Sequence, residues 1–134
     1  MKILLTGATG YIGKRILPIL IQKGHHVVCC VRDKSRFNPS SYLKSNISIV
    51  ELDLLDVASL SKIPNDIDVA YYLVHSMSVA DNYKSLEQQS AVNFREALKK
   101  KQVTQVIYLS GIINESNLSK HLQSRKTVED ELQK

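Results

Sequence analysis

The chain alternates short runs of adjacent apolar residues with longer stretches in which apolar residues recur every three or four positions. A short, continuous apolar run bounded by turn residues marks a strand covered on both faces, and the wider spacing marks an amphipathic helix. Residues 2–6 (KILLT), 26–31 (HVVCCV), 47–51, 69–74 (VAYYLV) and 105–109 (QVIYL) read as strands. Residues 11–23 carry Ile12, Ile16, Leu17, Ile19 and Leu20 at helical spacing. Pro18 inside that stretch predicts a local bend, and Gly24 is a natural stop. Residues 57–63 read as a short helix ended by Pro64. Residues 80–101 read as a long helix through Leu86, Ala91, Phe94, Ala97 and Leu98, and residues 119–132 as a helix through Leu122, Val128 and Leu132. Residues 35–43, with Pro39 and several serines, read as loop or short helix.

Strand and helix thus alternate along the whole length. That order predicts an α/β fold, a three-layer doubly wound parallel sheet (Rossmann fold) with helices on both faces. Five strands are visible, whereas a full dinucleotide-binding sheet has about six. The expectation is one domain over residues 1–134, forming the N-terminal part of a longer protein.

Composition changes this picture little. The 43% apolar and 23% charged content is that of an ordinary globular protein. The net charge of +5 is spread along the chain except at Lys99, Lys100 and Lys101, which sit where cations favour a helix end. With no Trp and two Phe there is no stacking platform, so a nucleic-acid partner is not expected. Cys29 and Cys30 are adjacent in a strand and must point to opposite faces, which suits buried thiols in a reducing cytoplasm. No apolar run approaches the length of a membrane span. The histidines and cysteines have no metal-ligand spacing.

The chemistry-bearing segment is Thr6-Gly7-Ala8-Thr9-Gly10-Tyr11-Ile12-Gly13, directly after a buried strand and opening a helix. Gly7 permits the tight turn, Gly10 removes a side chain where main chain must approach a diphosphate, and Gly13 lets the helix pack close to the strand. The amides at the helix start then face an anion, assisted by the helix dipole. Gly7, Thr9, Gly10, Tyr11, Ile12 and Gly13 are therefore candidate cofactor-binding residues.

This TGATGYIG segment resembles the TGxxGxxG fingerprint of extended and atypical short-chain dehydrogenases/reductases. Lys14 to His25 and Val27 to Arg32 are similar to that family's GHxVxxxVRD continuation, and residues 51–56 to its GDLxD segment. Residues 68–77 (DVAYYLVHSM) resemble one sub-branch, the NmrA-like proteins described as predicted nucleoside-diphosphate-sugar epimerases. The resemblance runs over essentially the whole chain. It implies that Arg32 meets a ribose 2′-phosphate, that Asp53 and the Leu54 amide meet the adenine, and that Leu73, Val74 and His75 flank the adenine ribose and diphosphate.

The end of the second strand carries a mixed cofactor signal. Asp33 lies twenty positions past Gly13, which suits the 2′-hydroxyl of NAD. Arg32, Lys34 and Arg36 suit the 2′-phosphate of NADP. NADP is the expected cofactor, with NAD open. The Tyr-x-x-x-Lys pair of hydride-transferring relatives is absent. Lys126 has Leu122 four residues before it, and Ser124-Arg125 resembles the segment that the sub-branch carries there instead. Ser110, after the fifth strand, is placed where the family has an active-site hydroxyl, but Ile112 and Ile113 follow without a second one. Ser110 and His75 are the candidate catalytic residues. Asn93 reads either as a helix-kinking residue or as a surface polar group, and Arg125 either as a phosphate contact or as a surface charge. Three functions stay open: an NADP-dependent oxidoreductase or epimerase-like enzyme acting on an unidentified small molecule, a non-catalytic sensor of NADP(H), and an interaction or assembly module whose cofactor is structural. Family resemblance also makes a homodimer through the two long helices an expectation.

Overall fold

The computed structural model describes residues 1–75, 82–111 and 118–134, with main chain alone at 41–43. Five parallel strands form one sheet: β1 (Lys2–Thr6), β2 (His26–Val31), β3 (Ile47–Glu51), β4 (Val69–Tyr72) and β5 (Gln105–Tyr108). Their spatial order is β3-β2-β1-β4-β5, the Rossmann order, so the chain reverses direction across the sheet between β1 and β4. Helix α1 (Tyr11–Gln22) covers one face, and α2 (Tyr83–Lys100) and α3 (Lys120–Gln133) cover the other.

The two faces bury separate cores, as period-2 alternation requires. Leu4, Val28, Cys30, Ala70 and Tyr72 face Phe94 and Leu98 of α2 and Val128 of α3. Ile3, Leu5, Val27, Cys29 and Val31 face Leu17, Leu20 and Ile21 of α1. Cys29 and Cys30 thus enter opposite cores as free thiols, and burial pushes both up to about 12.

The elements differ from the sequence expectation at their ends. α1 runs through Pro18, and its buried stripe is Gly13, Leu17, Leu20 and Ile21; Ile12 and Ile19 lie outside that stripe and are exposed. Residues 57–63 do not form an α-helix but a 3-10 turn at Val57–Lys62, and residues 34–36 and 41–46 form two more. β4 ends at Tyr72 because the Leu73 amide leaves the ladder and donates to Thr6 Oγ1 at 3.2 Å. The expected helix start at Ala80, together with Ser76, Met77, Ile112 and Ile113, lies outside the described residues.

α3 is short of apolar residues and is held to α2 by polar groups instead. Glu131, 7% exposed, accepts from Gln88 Nε2 at 3.1 Å and pairs with Arg95 Nη1 at 2.8 Å. Ser124, 1% exposed, donates to the Glu87 carboxylate. No described helix is long and apolar enough to cross a membrane.

Candidate functional site

The carboxyl ends of β2, β1 and β4 open into a cleft of about 450 Å³, at the point where the strand order reverses. Open α/β sheets bind ligands there, because adjacent loops diverge to opposite faces. The wall includes Gly7, Thr9, Gly10, Arg32, Asp53, Leu54, Leu73 and His75, eight of the residues expected from sequence.

The glycine loop is shaped by two close approaches. Gly7 has φ +71°, and a β-carbon there would stand 2.5 Å from the Leu73 carbonyl oxygen. Gly13 is buried, and a β-carbon on it would fall on the Gly7 carbonyl. So α1 starts in direct contact with the turn that leaves β1. Thr6 fixes the other side of that turn: its hydroxyl donates to the Tyr71 carbonyl at 2.8 Å and accepts from the Leu73 amide.

The first main-chain bond of α1 runs from Lys14 N to Gly10 O at 3.0 Å. The amides of Tyr11, Ile12 and Gly13 therefore have no main-chain acceptor among the described residues. No side chain caps this end. The Gly10 amide closes the turn by donating to Gly7 O at 3.0 Å. Tyr11, Ile12 and Gly13 are not among the residues lining the cleft; Tyr11 is 70% exposed and its ring stacks under Arg15, whose guanidinium carbon is 3.5 Å from the centroid.

Beyond β2, Arg32 lines the cleft and Asp33 does not. Asp33 Oδ1 accepts from the Ser35 amide at 2.9 Å and the Ser35 hydroxyl at 2.6 Å, capping the next 3-10 turn. These bonds, with Arg36 nearby, hold its carboxyl below the ordinary range. Beyond β3, Asp53 Oδ1 accepts from the Leu55 amide at 2.9 Å, while the Leu54 carbonyl accepts from Asn93 Nδ2 at 2.8 Å. Asn93, buried on α2, thus pins the loop that floors the cleft, a role that sequence left undecided between a kink and a surface group.

The far end of the cleft is made by β4, β5 and α3. Rings run from the core to its wall: Phe94 to Tyr72 at 5.0 Å, Tyr72 to Tyr108 at 5.9 Å and Tyr108 to His75 at 6.4 Å between centroids. Burial, then the neighbouring Arg125 charge, lowers the His75 imidazole below its ordinary value, opposed by Glu87. Tyr108 is pushed up to about 12, mainly by burial, and its hydroxyl donates to the Arg125 carbonyl at 3.3 Å. Ser110 is not on the cleft wall; its hydroxyl donates to Glu129 Oε2 at 2.8 Å. Sequence reasoning gave Thr6 no role although it opens the TGxxGxxG segment, and missed Glu87 and Glu129, which belong to no spaced motif.

An uncapped helix start, main chain packed too tightly for any side chain at residues 7 and 13, and a cation at the end of β2 together fit a dinucleotide. A family model described as NAD(P)H-binding matches residues 7–133. The chain belongs to the NAD(P)H-binding family. The resemblance to NmrA-like short-chain dehydrogenases therefore holds, and the domain is an NAD(P)-binding Rossmann domain. Isoflavone reductase homolog P3 of Arabidopsis thaliana is 30% identical over 138 aligned positions, covering 97% of this chain and 44% of that protein. A nucleoside-diphosphate-sugar epimerase from Staphylococcus aureus shares the fold with TM-score 0.80 at 21% identity, over 99% of this chain and 46% of that one. So does the Citrobacter sp. triphenylmethane reductase complexed with NADP(H), with TM-score 0.78 at 19% identity, over 98% and 45%. This NAD(P)H-binding chain spans less than half the length of the curated relatives it matches.

Proposed function

We propose that this chain is the cofactor domain of an NADP(H)-dependent reductase or epimerase-like enzyme, with NADPH preferred over NADH. The observation that carries the preference is the division of labour after β2. Asp33 Oδ1 caps Ser35 and the residue stays off the cleft wall, while Arg32 stands on that wall with no ion pair among the described residues. A guanidinium recognises a phosphate through charge-assisted bonds that a ribose hydroxyl cannot match.

In this reading the amides of Tyr11, Ile12 and Gly13 hold the diphosphate, and Asp53 and the Leu54 amide hold the adenine. Bound nicotinamide dinucleotide supplies or accepts a hydride. His75, on the wall and with its imidazole lowered by burial, takes or returns the proton at the substrate oxygen. Ser110, off the cleft wall and donating to Glu129 at 2.8 Å, takes no part in this reading.

The test is the affinity of the full-length protein for NADPH and NADH by fluorescence. NADPH is expected to bind at least about tenfold tighter, and Arg32→Ala to remove that gap while leaving NADH binding unchanged, a loss of about 1.4 kcal/mol or more. Equal affinities in the unaltered protein would refute the preference. A second reading, an NADP(H) sensor without turnover, is favoured by the missing Tyr-x-x-x-Lys pair. NADPH binding without NADPH consumption across carbonyl and sugar-nucleotide substrates would select it.

A further inference from the structure

Of two arginines toward this end of the sheet, only Arg32 lines the cleft, and the cofactor reading uses it. The second, Arg125, is partly buried on α3 beside the end of β5. Gly111 brings bare main chain against it: a β-carbon there would meet Leu122 Cδ2 at 2.7 Å and lie 3.8 Å from Arg125 Nη1. The Tyr108 hydroxyl donates to the Arg125 carbonyl at 3.3 Å, and the Tyr108 ring lies 6.4 Å from that of His75, so Arg125 stands on the His75 side of α3.

The nearby acids do not pair with it. Glu129, four residues later on the same helix, sits where an i,i+4 partner belongs, yet it accepts from Ser110 at 2.8 Å. Glu87, across on α2, accepts from Ser124. Among the described residues the Arg125 guanidinium has no ion pair and no hydrogen bond. A cation partly withdrawn from water without a partner raises the free energy of the fold, and a ligand oxyanion removes that cost. The diphosphate cradle is at β1, two strands away from β5, roughly 10 Å at ordinary strand spacing. Arg125 is also not among the residues lining the cleft that holds the glycine loop, and on that ground it is assigned to a different anion.

We propose that Arg125 binds a carboxylate or phosphate oxyanion of the small-molecule substrate, next to His75. The inference rests on the dinucleotide reading only in taking the glycine loop and Arg32 as already occupied.

The experiment uses full-length protein saturated with NADPH and titrated separately with inorganic phosphate and with benzoate. Binding is read by calorimetry and by the NMR signals of His75. The unaltered protein is expected to bind at least one of the two with millimolar affinity, and which one binds assigns the oxyanion. Arg125→Gln is expected to weaken that binding at least tenfold with NADPH affinity changed less than twofold, and Arg125→Lys to restore most of it. The bound anion should also raise the His75 titration midpoint, an effect absent in Arg125→Gln. The proposal is overturned if neither anion binds the unaltered protein, if Arg125→Gln and Arg125→Lys both bind as tightly as it does, or if the loss falls on NADPH instead. Failure to take up NADPH would refute the cofactor reading separately, and the same comparison of Arg125 variants without nucleotide would then decide this one.

Discussion

Replacing Gly7 by alanine adds one methyl group where β1, α1 and β4 meet, and the structure sets its cost. At φ +71° an L-residue loses roughly 1–2 kcal/mol from contact between its β-carbon and the main chain. The methyl would also stand 2.5 Å from Leu73 O and 2.8 Å from Leu73 C, against an ordinary contact of 3.4 Å or more. Leu73 cannot retreat freely, because its amide is held by Thr6 Oγ1, which is itself bonded to Tyr71 O. Overpacking of this kind costs about 1–3 kcal/mol, and the two effects together about 2–5 kcal/mol. A domain stable by about 5–15 kcal/mol should then lose at least about 1 M from its urea midpoint. Gly10→Ala is the matched control. Gly10 has φ −80°, and its added carbon meets only Gly7 O, at 3.3 Å. Its stability should change by less than about 1 kcal/mol. The added methyl stands on the cleft wall, however, and NADPH affinity should fall at least tenfold, about 1.4 kcal/mol. Urea melts and NADPH titrations of both variants separate the two effects. Gly7→Ala melting with the unaltered protein, or Gly10→Ala binding NADPH equally well, would refute the geometry argued for this loop.

Asn93→Ala leaves the buried Leu54 carbonyl without its donor and should cost about 1–3 kcal/mol in urea melts, with weaker NADPH binding because the cleft floor loosens; an unchanged melt contradicts the pinning role. Glu131 is held near a pKa of about 2, against an ordinary 4.5, by its bonds to Lys134, Gln88 and Arg95. A carboxyl lowered on folding stabilises the fold fully above its unfolded value and loses that contribution as pH falls through its folded value. The stability gap between the unaltered protein and Glu131→Gln should therefore shrink as pH drops from above 4.5 toward 2, and a gap independent of pH would count against the α2–α3 clamp. Cys29 and Cys30, buried and pushed up to about 12, should resist iodoacetamide in the folded protein at pH 8 and both react in urea; mass spectrometry showing a modified native chain would place one of them outside its core.

How far the sequence carries this domain follows from which interactions are local. The strands were legible because residues 2–6 and 26–31 are buried on both faces, which leaves continuous apolar runs. The cradle was legible because its constraints fall at fixed spacing, Gly7 against the turn and Gly13 against Gly7. Hydrogen-bond partners between distant elements were not legible. Thr6 to Leu73, Asn93 to Leu54, Ser124 to Glu87 and Ser110 to Glu129 are 67, 39, 37 and 19 residues apart, and no short motif records them. Asp33 is the instructive middle case. Its spacing from Gly13 suggested a ribose contact, yet an Asp two residues before a Ser is also a local capping signal, and the local bond prevails because closing it orders few residues. The same reasoning governs both ends of the cleft. Asp33 Oδ1 accepts from Ser35 and Glu129 Oε2 from Ser110, and neither carboxylate forms an ion pair with its neighbouring arginine among the described residues. How each guanidinium is partnered is set by where the neighbouring carboxylates are directed rather than by how many charges the chain carries.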